Sequence, residues 1–315
     1  MKICFLANPE YCLPSLQALI DAPDMEVVLV VTGPDKIRSR RGQRVAGPVK
    51  QMALDHGLEV ISPEKLNRSE VIDRIKEAEP DFLVVIAFGQ LIGKGLRDLY
   101  GDRILNLHGS LLPKYRGAAP IQRALLNGDR ATGVTSMIVR KELDKGEMLA
   151  KKEVIIEDSD DLASLMDKMA ACSADLMLYT LRNYDELLEA KDVQDDSLAT
   201  YAEKISKEEG HLDFNLTADE LVRKVKTFKD WPGAVFKYQG ENFKVKDARS
   251  INEQGSEGEG RVLPGNIISV SAEGIGIQTA KGIFLIDVIQ QAGKKALQVK
   301  NFINGKTINV GDLVN

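Results

Sequence analysis

Four short aliphatic or β-branched runs, at residues 3–7, 26–31, 82–87 and 104–107, constrain the fold of this chain more than any other feature. Amphipathic helical stretches at 14–20, 45–56 and 69–77 lie between them. Runs that are apolar on both faces need covering on both sides, and helices alternating with them supply that cover. The pattern predicts an α/β domain built on a doubly wound, mostly parallel sheet. In such a sheet ligands bind beyond the carboxyl ends of the strands, so the segments after Ala87 and Leu107 are where a site is expected.

At 315 residues the chain exceeds one comfortable core, and the pattern changes along it. A helical stretch over 160–188, with Leu162, Leu165, Met169, Leu176 and Leu181 among its apolar positions, closes a first domain at residues 1–190. Residues 191–210 are polar and read as a linker. In residues 211–315 a helix at 218–228 is followed by short strands at 236–238, 243–245, 267–270, 275–278 and 283–289, separated by glycine turns. That spacing predicts a smaller C-terminal OB-like β-barrel, with the Gly- and Glu-rich residues 253–260 as a mobile loop.

No apolar run approaches the ~20 residues that span a bilayer. Met1 to Leu6 could open a signal peptide, but Asn8-Pro9-Glu10 interrupts it too early, so a buried first strand and a cytoplasmic, monomeric protein are expected. Three cysteines (Cys4, Cys12, Cys172) without C-x-x-C spacing, and three scattered histidines (His56, His108, His211), indicate neither a disulfide framework nor a metal site. The net charge of -5 is uneven: 14 Lys and Arg against 12 Asp and Glu put residues 211–315 at +2, leaving residues 1–210 at -7.

The densest cluster of unusual residues runs from Asn106 to Pro120, NLHGSLLPKYRGAAP, directly after a buried strand. Strand alternation places Asn106 and His108 on one side of the strand end, where an amide and an imidazole can converge on one small group. A bare N-x-H pair is more often structural; here a proline and a Gly-Ala-Ala-Pro run hold an irregular path, as a site loop needs. A serine nucleophile is discounted because the G-x-S-x-G elbow would need glycine where His108 and Leu112 stand. Gly305-Lys306-Thr307 lacks the upstream glycine of a P-loop, and no G-x-G-x-x-G follows the first strand.

The 106–120 stretch closely resembles the signature of the folate-dependent N-formyltransferases, and Leu143-Asp144-Lys145-Gly146 resembles that family's Leu-Asp-x-Gly motif. The resemblance implies a catalytic trio of Asn106, His108 and Asp144. It also implies a folate pocket lined by Phe88, Gly89, Gln90, Leu91, Ser110, Leu111, Leu112 and Pro113. The donor it implies is 10-formyltetrahydrofolate, with no metal. Segments at 194–210, 231–234 and 291–295 extend the resemblance over nearly the whole chain, toward members whose acceptor is an aminoacyl-tRNA, initiator methionyl-tRNA foremost. Two departures stand out: Lys145 where the family often has threonine, and Leu6-Ala7-Asn8-Pro9-Glu10 in place of Gly-Thr-Pro-Asp.

The chemistry fits a direct attack. An α-amine has a pKa of about 8, and an esterified aminoacyl group is more acidic, so the nucleophile arrives with the substrate. The protein must orient the formyl carbonyl, stabilise an oxyanion and remove a proton. RNA is indicated by Lys36, Arg38, Arg40, Arg41, Arg44 and Lys50, opposed by the single acid Asp35 and kept irregular by glycine and proline. Lys204 and Lys207, with Lys224 and Lys226, would extend that track. Charge alone leaves a solvated surface loop as an equal reading. The rivals are a sugar-nucleotide N-formyltransferase, a folate hydrolase using water, and a non-catalytic RNA- or folate-binding protein.

Overall fold

The computed structural model describes residues 1–37, 44–251, 262–305 and 308–315. Arg38, Arg40 and Arg41, the 253–260 stretch, and Lys306 with Thr307 lie outside the described residues. The chain divides into two compact units: residues 1–121, 130–156 and 164–203, and residues 122–129, 157–163 and 204–315.

The first unit opens with β1 (Lys2–Ala7), α1 (Leu13–Asp21) and β2 (Glu26–Val31). The two-residue strands β3 (Lys36–Ile37) and β4 (Arg44–Val45) then form a small antiparallel ribbon. Next come α2 (Pro48–Asp55), β5 (Val60–Ile61), α3 (Ser69–Glu77), β6 (Phe82–Ile86), α4 (Lys94–Tyr100) and β7 (Ile104–His108). The short β8 (Arg116–Gly117), α5 (Pro120–Asn127), β9 (Ala131–Ile138), β10 (Met148–Ile155), α6 (Leu162–Arg182), α7 (Tyr184–Glu189) and the short β11 (Tyr201–Ala202) follow.

Seven strands form one sheet in the order β10-β9-β7-β6-β1-β2-β5, parallel except where β9 runs against β7 and β10. The chain winds from β1 outward to β5, then returns to β6 and winds the other way. The order therefore reverses between β1 and β6, whose carboxyl ends open the crevice in which such sheets bind ligands. Central strands are buried on both faces: every residue of β6 is, and Ile3 to Ala7 of β1 are fully covered.

Several elements differ from their sequence limits. The helix expected over 45–56 begins only at Pro48, because Gly47 is extended and Val45 pairs with Lys36. The long helix expected over 160–188 is interrupted at Asn183. β9 and β10 were not indicated by the aliphatic runs: β9 buries the hydroxyls of Thr132, Thr135 and Ser136, and β10 carries Lys151, Lys152 and Glu153 on an edge strand.

In the second unit α8 (Ala218–Thr227) precedes β12 (Ala234–Tyr238), β13 (Glu241–Ile251), β14 (Ile267–Ser271), β15 (Gly274–Gln278), β16 (Ile283–Gln291), β17 (Leu297–Gln298) and α9 (Val299–Phe302). The strands run antiparallel in the order β12-β13-β16-β15-β14, with β17 beside β16. Residues 312–315 bridge the two edges. Val314 donates to Gly265 O and Ile267 to Asp312 O (both 2.9 Å), while Lys237 and Asn315 exchange backbone bonds of 2.6 and 2.9 Å. The last residues thus join the two edges of the sheet. Its core includes Phe214, Phe236, Phe243, Phe284 and Phe302, with Phe236 and Phe243 stacked at 5.6 Å, and takes Leu221 and Val225 from α8.

Helix α8 starts on a capping box: Thr217 Oγ1 accepts from Glu220 N–H at 3.3 Å, and the Glu220 carboxylate accepts from Thr217 N–H at 2.7 Å. Thr217→Ala should therefore destabilise the second unit by about 1 kcal/mol, measured as a lower urea midpoint with an unchanged denaturant slope. A change within error would show that the cap contributes nothing net.

Candidate active site

Strand β7 delivers the expected pair to its carboxyl end. Asn106 is half-buried and His108 buried, two residues apart on one side of the strand. Among the described residues nothing hydrogen-bonds the Asn106 side-chain amide. His108 is held on both sides: Nε2 lies 2.8 Å from Tyr115 O, and Nδ1 lies 3.7 Å from Asp144 Oδ1. The other carboxylate oxygen of Asp144 accepts the Gly117 N–H at 2.9 Å. The structure thus brings the buried His108 and Asp144 together, with Asn106 on the same strand end.

The loop after β7 is irregular, and several of its polar groups are bonded within the protein. Ser110 N–H donates to His108 O (2.9 Å), and Ser110 Oγ donates to Lys114 O (2.6 Å). Thr135 of β9 donates its hydroxyl to Ser110 O (2.7 Å) and accepts from Leu112 N–H (3.0 Å), so a buried threonine sets the loop's path. Tyr115 and Asp144 both adopt positive φ, 60° and 54°. Further along, β8 pairs in parallel with β11, and a Cβ on Gly117 would meet Ala202 O at 2.8 Å. Only glycine passes there, with φ at 115°.

Behind Asp144 stand residues that the sequence pattern assigned to a linker. Gln194 Nε2 donates to both Asp144 O and Gly146 O (2.8 Å each), while Gln194 Oε1 accepts from Arg116 Nε at 2.9 Å. Arg116, 1% exposed, also donates to Asp196 at 2.7 Å, and this holds the Asp196 carboxyl below its ordinary range. Lys145 approaches the same carboxylate at 3.4 Å. Polar local composition hid this network; the family resemblance of the 194–210 segment was the signal the sequence held.

The expected folate-pocket residues follow β6 and β7, which are neighbours in the sheet. Phe88, Ser110 and Leu112 turn their side chains into the interior, Leu112 against Met137 and Met148. Gln90 spends its amide on Leu66 N–H and Pro63 O (2.8 and 3.3 Å). Leu111 and Pro113 are half-buried, and Leu91 is 69% exposed. Ala87 and Gly89 adopt positive φ, 45° and 82°, and the carbonyls of Phe88, Leu91, Ser110, Leu111 and Pro113 all accept bonds from within the protein. Asn8, in the departing first loop, accepts from Gly33 N–H at 2.5 Å and donates to Phe88 O, tying three strand ends together.

The basic residues divide. Arg44, Lys204 and Lys207 are exposed and, among the described residues, no carboxylate pairs with them. Lys50 is bound to Asp35 at 2.8 Å. Lys224 donates to His211 O at 2.6 Å, burial lowering its pKa, and Lys226 donates to Asp158 O. These three ammonium groups are engaged within the protein. Lys36 contributes a strand backbone to the loop's base. The thiols are no rivals to the trio: Cys12 is pushed up to about 12 by burial and Cys4 higher still. Among the described residues no His, Cys, Asp and Glu group could hold a metal, and no helix is long and apolar enough to cross a membrane.

The family description "Formyl transferase" matches residues 1–181, and "Formyl transferase, C-terminal domain" matches residues 204–307. The methionyl-tRNA formyltransferase of Sulfurihydrogenibium sp. (strain YO3AOP1) is 39% identical over 315 residues, covering 99% of each chain. The solved phosphoribosylglycinamide formyltransferase of Bacillus halodurans is 27% identical, with a TM-score of 0.50 over 58% of this chain and 95% of its own. The N-formyltransferase of Helicobacter canadensis, solved with folinic acid and dTDP-3-aminofucose, has a TM-score of 0.61 over 92% of this chain and 99% of its own. At 17% identity that likeness is one of fold. With both domain descriptions matched and a full-length relative at this identity, the chain belongs to the formyl transferase family.

Proposed function

We propose that this formyltransferase moves the formyl group of 10-formyltetrahydrofolate onto the α-amino group of initiator methionyl-tRNA. The observation that carries the chemistry is the buried His108–Asp144 pair with Asn106 on the same strand end, its side-chain amide unbonded among the described residues. The full-length likeness to a methionyl-tRNA formyltransferase supports the acceptor.

In this reading the substrate amine attacks the formyl carbon and forms the new C–N bond, while the carbonyl electron pair moves onto oxygen. Asn106 donates an amide N–H to that oxyanion. His108, exchanging its bond to Tyr115 O for the substrate, donates a second. The ring sits between a backbone carbonyl and a carboxylate, which fixes its orientation toward the substrate. Asp144 takes the proton of the new ammonium, directly or through water. Collapse returns the electron pair and breaks the bond to the folate nitrogen, which takes up the proton that Asp144 removed from the ammonium and so restores the carboxylate. No covalent enzyme intermediate is needed. The loops 88–91 and 110–113 would line the folate site, with exposed Leu91 as apolar contact.

The deciding experiment offers 10-formyltetrahydrofolate with charged initiator tRNA, charged elongator tRNA or an amino-sugar nucleotide. Formyl should appear on methionyl initiator tRNA; transfer only to the sugar nucleotide would overturn the acceptor. Asn106→Ala, His108→Ala and Asp144→Ala should each slow transfer by about 10²–10³-fold with the fold intact, and non-additively in combination. Normal turnover in any one would remove that residue from the mechanism.

Saturating folate should slow amide exchange at residues 88–91 and 110–113, read by mass spectrometry. Unchanged exchange in both loops would put the folate elsewhere.

Replacing Arg38, Arg40, Arg41 and Arg44 together by alanine should raise KM for charged tRNA while folate binding persists. The slope of log K against log salt should flatten by roughly 0.7–0.9 for each lost phosphate contact. Wild-type kinetics and slope in that variant would reduce the loop to solvated surface.

A further inference from the structure

Asp144 has φ at 54°, in the left-handed region that few residues other than glycine adopt and that aspartate tolerates. Four bonds form a closed ring around it. Gly117 N–H donates to the Asp144 carboxylate, and Gly117 is the chain neighbour of Arg116. Arg116 Nε donates to Gln194 Oε1, and Gln194 Nε2 donates to the carbonyls of Asp144 and Gly146. The orientation of the Gln194 amide follows from its partners, because two carbonyls require the NH2 end and a guanidinium requires the oxygen. Gly146 completes the constraint: a Cβ there would stand 1.7 Å from Ile138 O, so the turn is pressed onto β9.

The ring is an expensive device if stability were its only purpose. Arg116 is almost wholly buried, its terminal Nη2 has no acceptor among the described residues, and well-packed apolar groups commonly replace such buried charges without loss. What an apolar replacement could not do is orient an amide against two carbonyls.

We propose that Gln194, keyed by Arg116, is a positioning residue that holds the Asp144 carboxylate in register with His108. It touches no reacting atom and acts through the backbone on both sides of Lys145. Lys145, the departure from the family motif, adds a second tie by approaching Asp196, the carboxylate that Arg116 also binds. The inference rests on the catalytic role proposed for Asp144.

The test uses the full chain, with Gln194→Ala, Gln194→Glu and each combined with Asp144→Ala. Glutamate keeps an oxygen for Arg116 and removes both donors to the carbonyls, so it separates positioning from packing. In both single variants kcat should fall about 10- to 100-fold, with KM for folate and tRNA within about 2-fold, since a displacement near 1 Å is enough for such a loss. In the Asp144→Ala background neither change should slow the residual rate further. Exchange at the Gly117 amide should quicken, while the Ala118 amide, bound to Ala202 O, stays protected. Wild-type kcat in a folded Gln194→Glu protein, or an equal loss in the Asp144→Ala background, would overturn the proposal. If Asp144→Ala itself turns over normally, the catalytic reading fails instead, and the Gly117 exchange still decides whether Gln194 holds the loop.

Discussion

The two oxygens of the Asp144 carboxylate face different partners, and the arrangement of the strand ends follows from that division. Oδ2 is fixed by the Gly117 N–H, which leaves Oδ1 turned to the His108 ring. For Gly117 to reach it, β8 must run so close to β11 that no side chain fits between them. For Asp144 to reach it, the 142–146 turn must sit against Ile138 with no side chain at Gly146. Two glycines, on segments that do not pair with one another, therefore set one contact between a carboxylate and an imidazole. Thr135 fixes the third side by gripping Ser110 and Leu112, so the loop carrying Tyr115 O cannot drift from the His108 ring.

The switch point between β1 and β6 supplies the neighbouring crevice, and Asn8 shows how this chain replaces the family's usual first loop. A side-chain amide both accepts and donates, which lets one residue satisfy Gly33 N–H and Phe88 O together. The loop leading to the basic residues and the loop after β6 are thereby tied through one side chain. Gly33 passes Asn8 closely, since a Cβ there would lie 3.2 Å from Asn8 Oδ1.

Legibility in the sequence tracked how local each signal was. β1, β2, β6 and β7 declared themselves because apolar residues on both faces can only be central strands, and that pattern is contained in five or six residues. β9 did not, because its buried hydroxyls serve partners far along the chain: Thr135 for the 110–112 loop, Ser136 for Thr180 of α6. Asn106 and His108 could be paired from strand alternation alone. Asp144 could be named only by resemblance, since nothing local says that a turn after β9 returns to the end of β7. Gln194 looked solvated for the same reason: its partners, Arg116 and the 144–146 turn, are remote in sequence.

The charge pattern has to be read pair by pair. Between exposed groups, screening at physiological salt confines electrostatics to roughly 8 Å, so the net charge of -5 of the chain does not decide whether a phosphate is welcome at one loop. What decides is which cations already have an acceptor. Arg140 is shared by Asp102 and Glu147, Arg182 is bound to Asp24, and Lys50 to Asp35; an RNA phosphate would have to displace a bond to use them. Arg44, Lys204 and Lys207 carry no such bond among the described residues. A sequence count weights all of these residues equally. The structure weights them by what binding would break: a phosphate would displace no carboxylate from exposed cations such as Arg44, Lys204 and Lys207, to which Lys114, Lys151 and Lys281 also belong among the described residues.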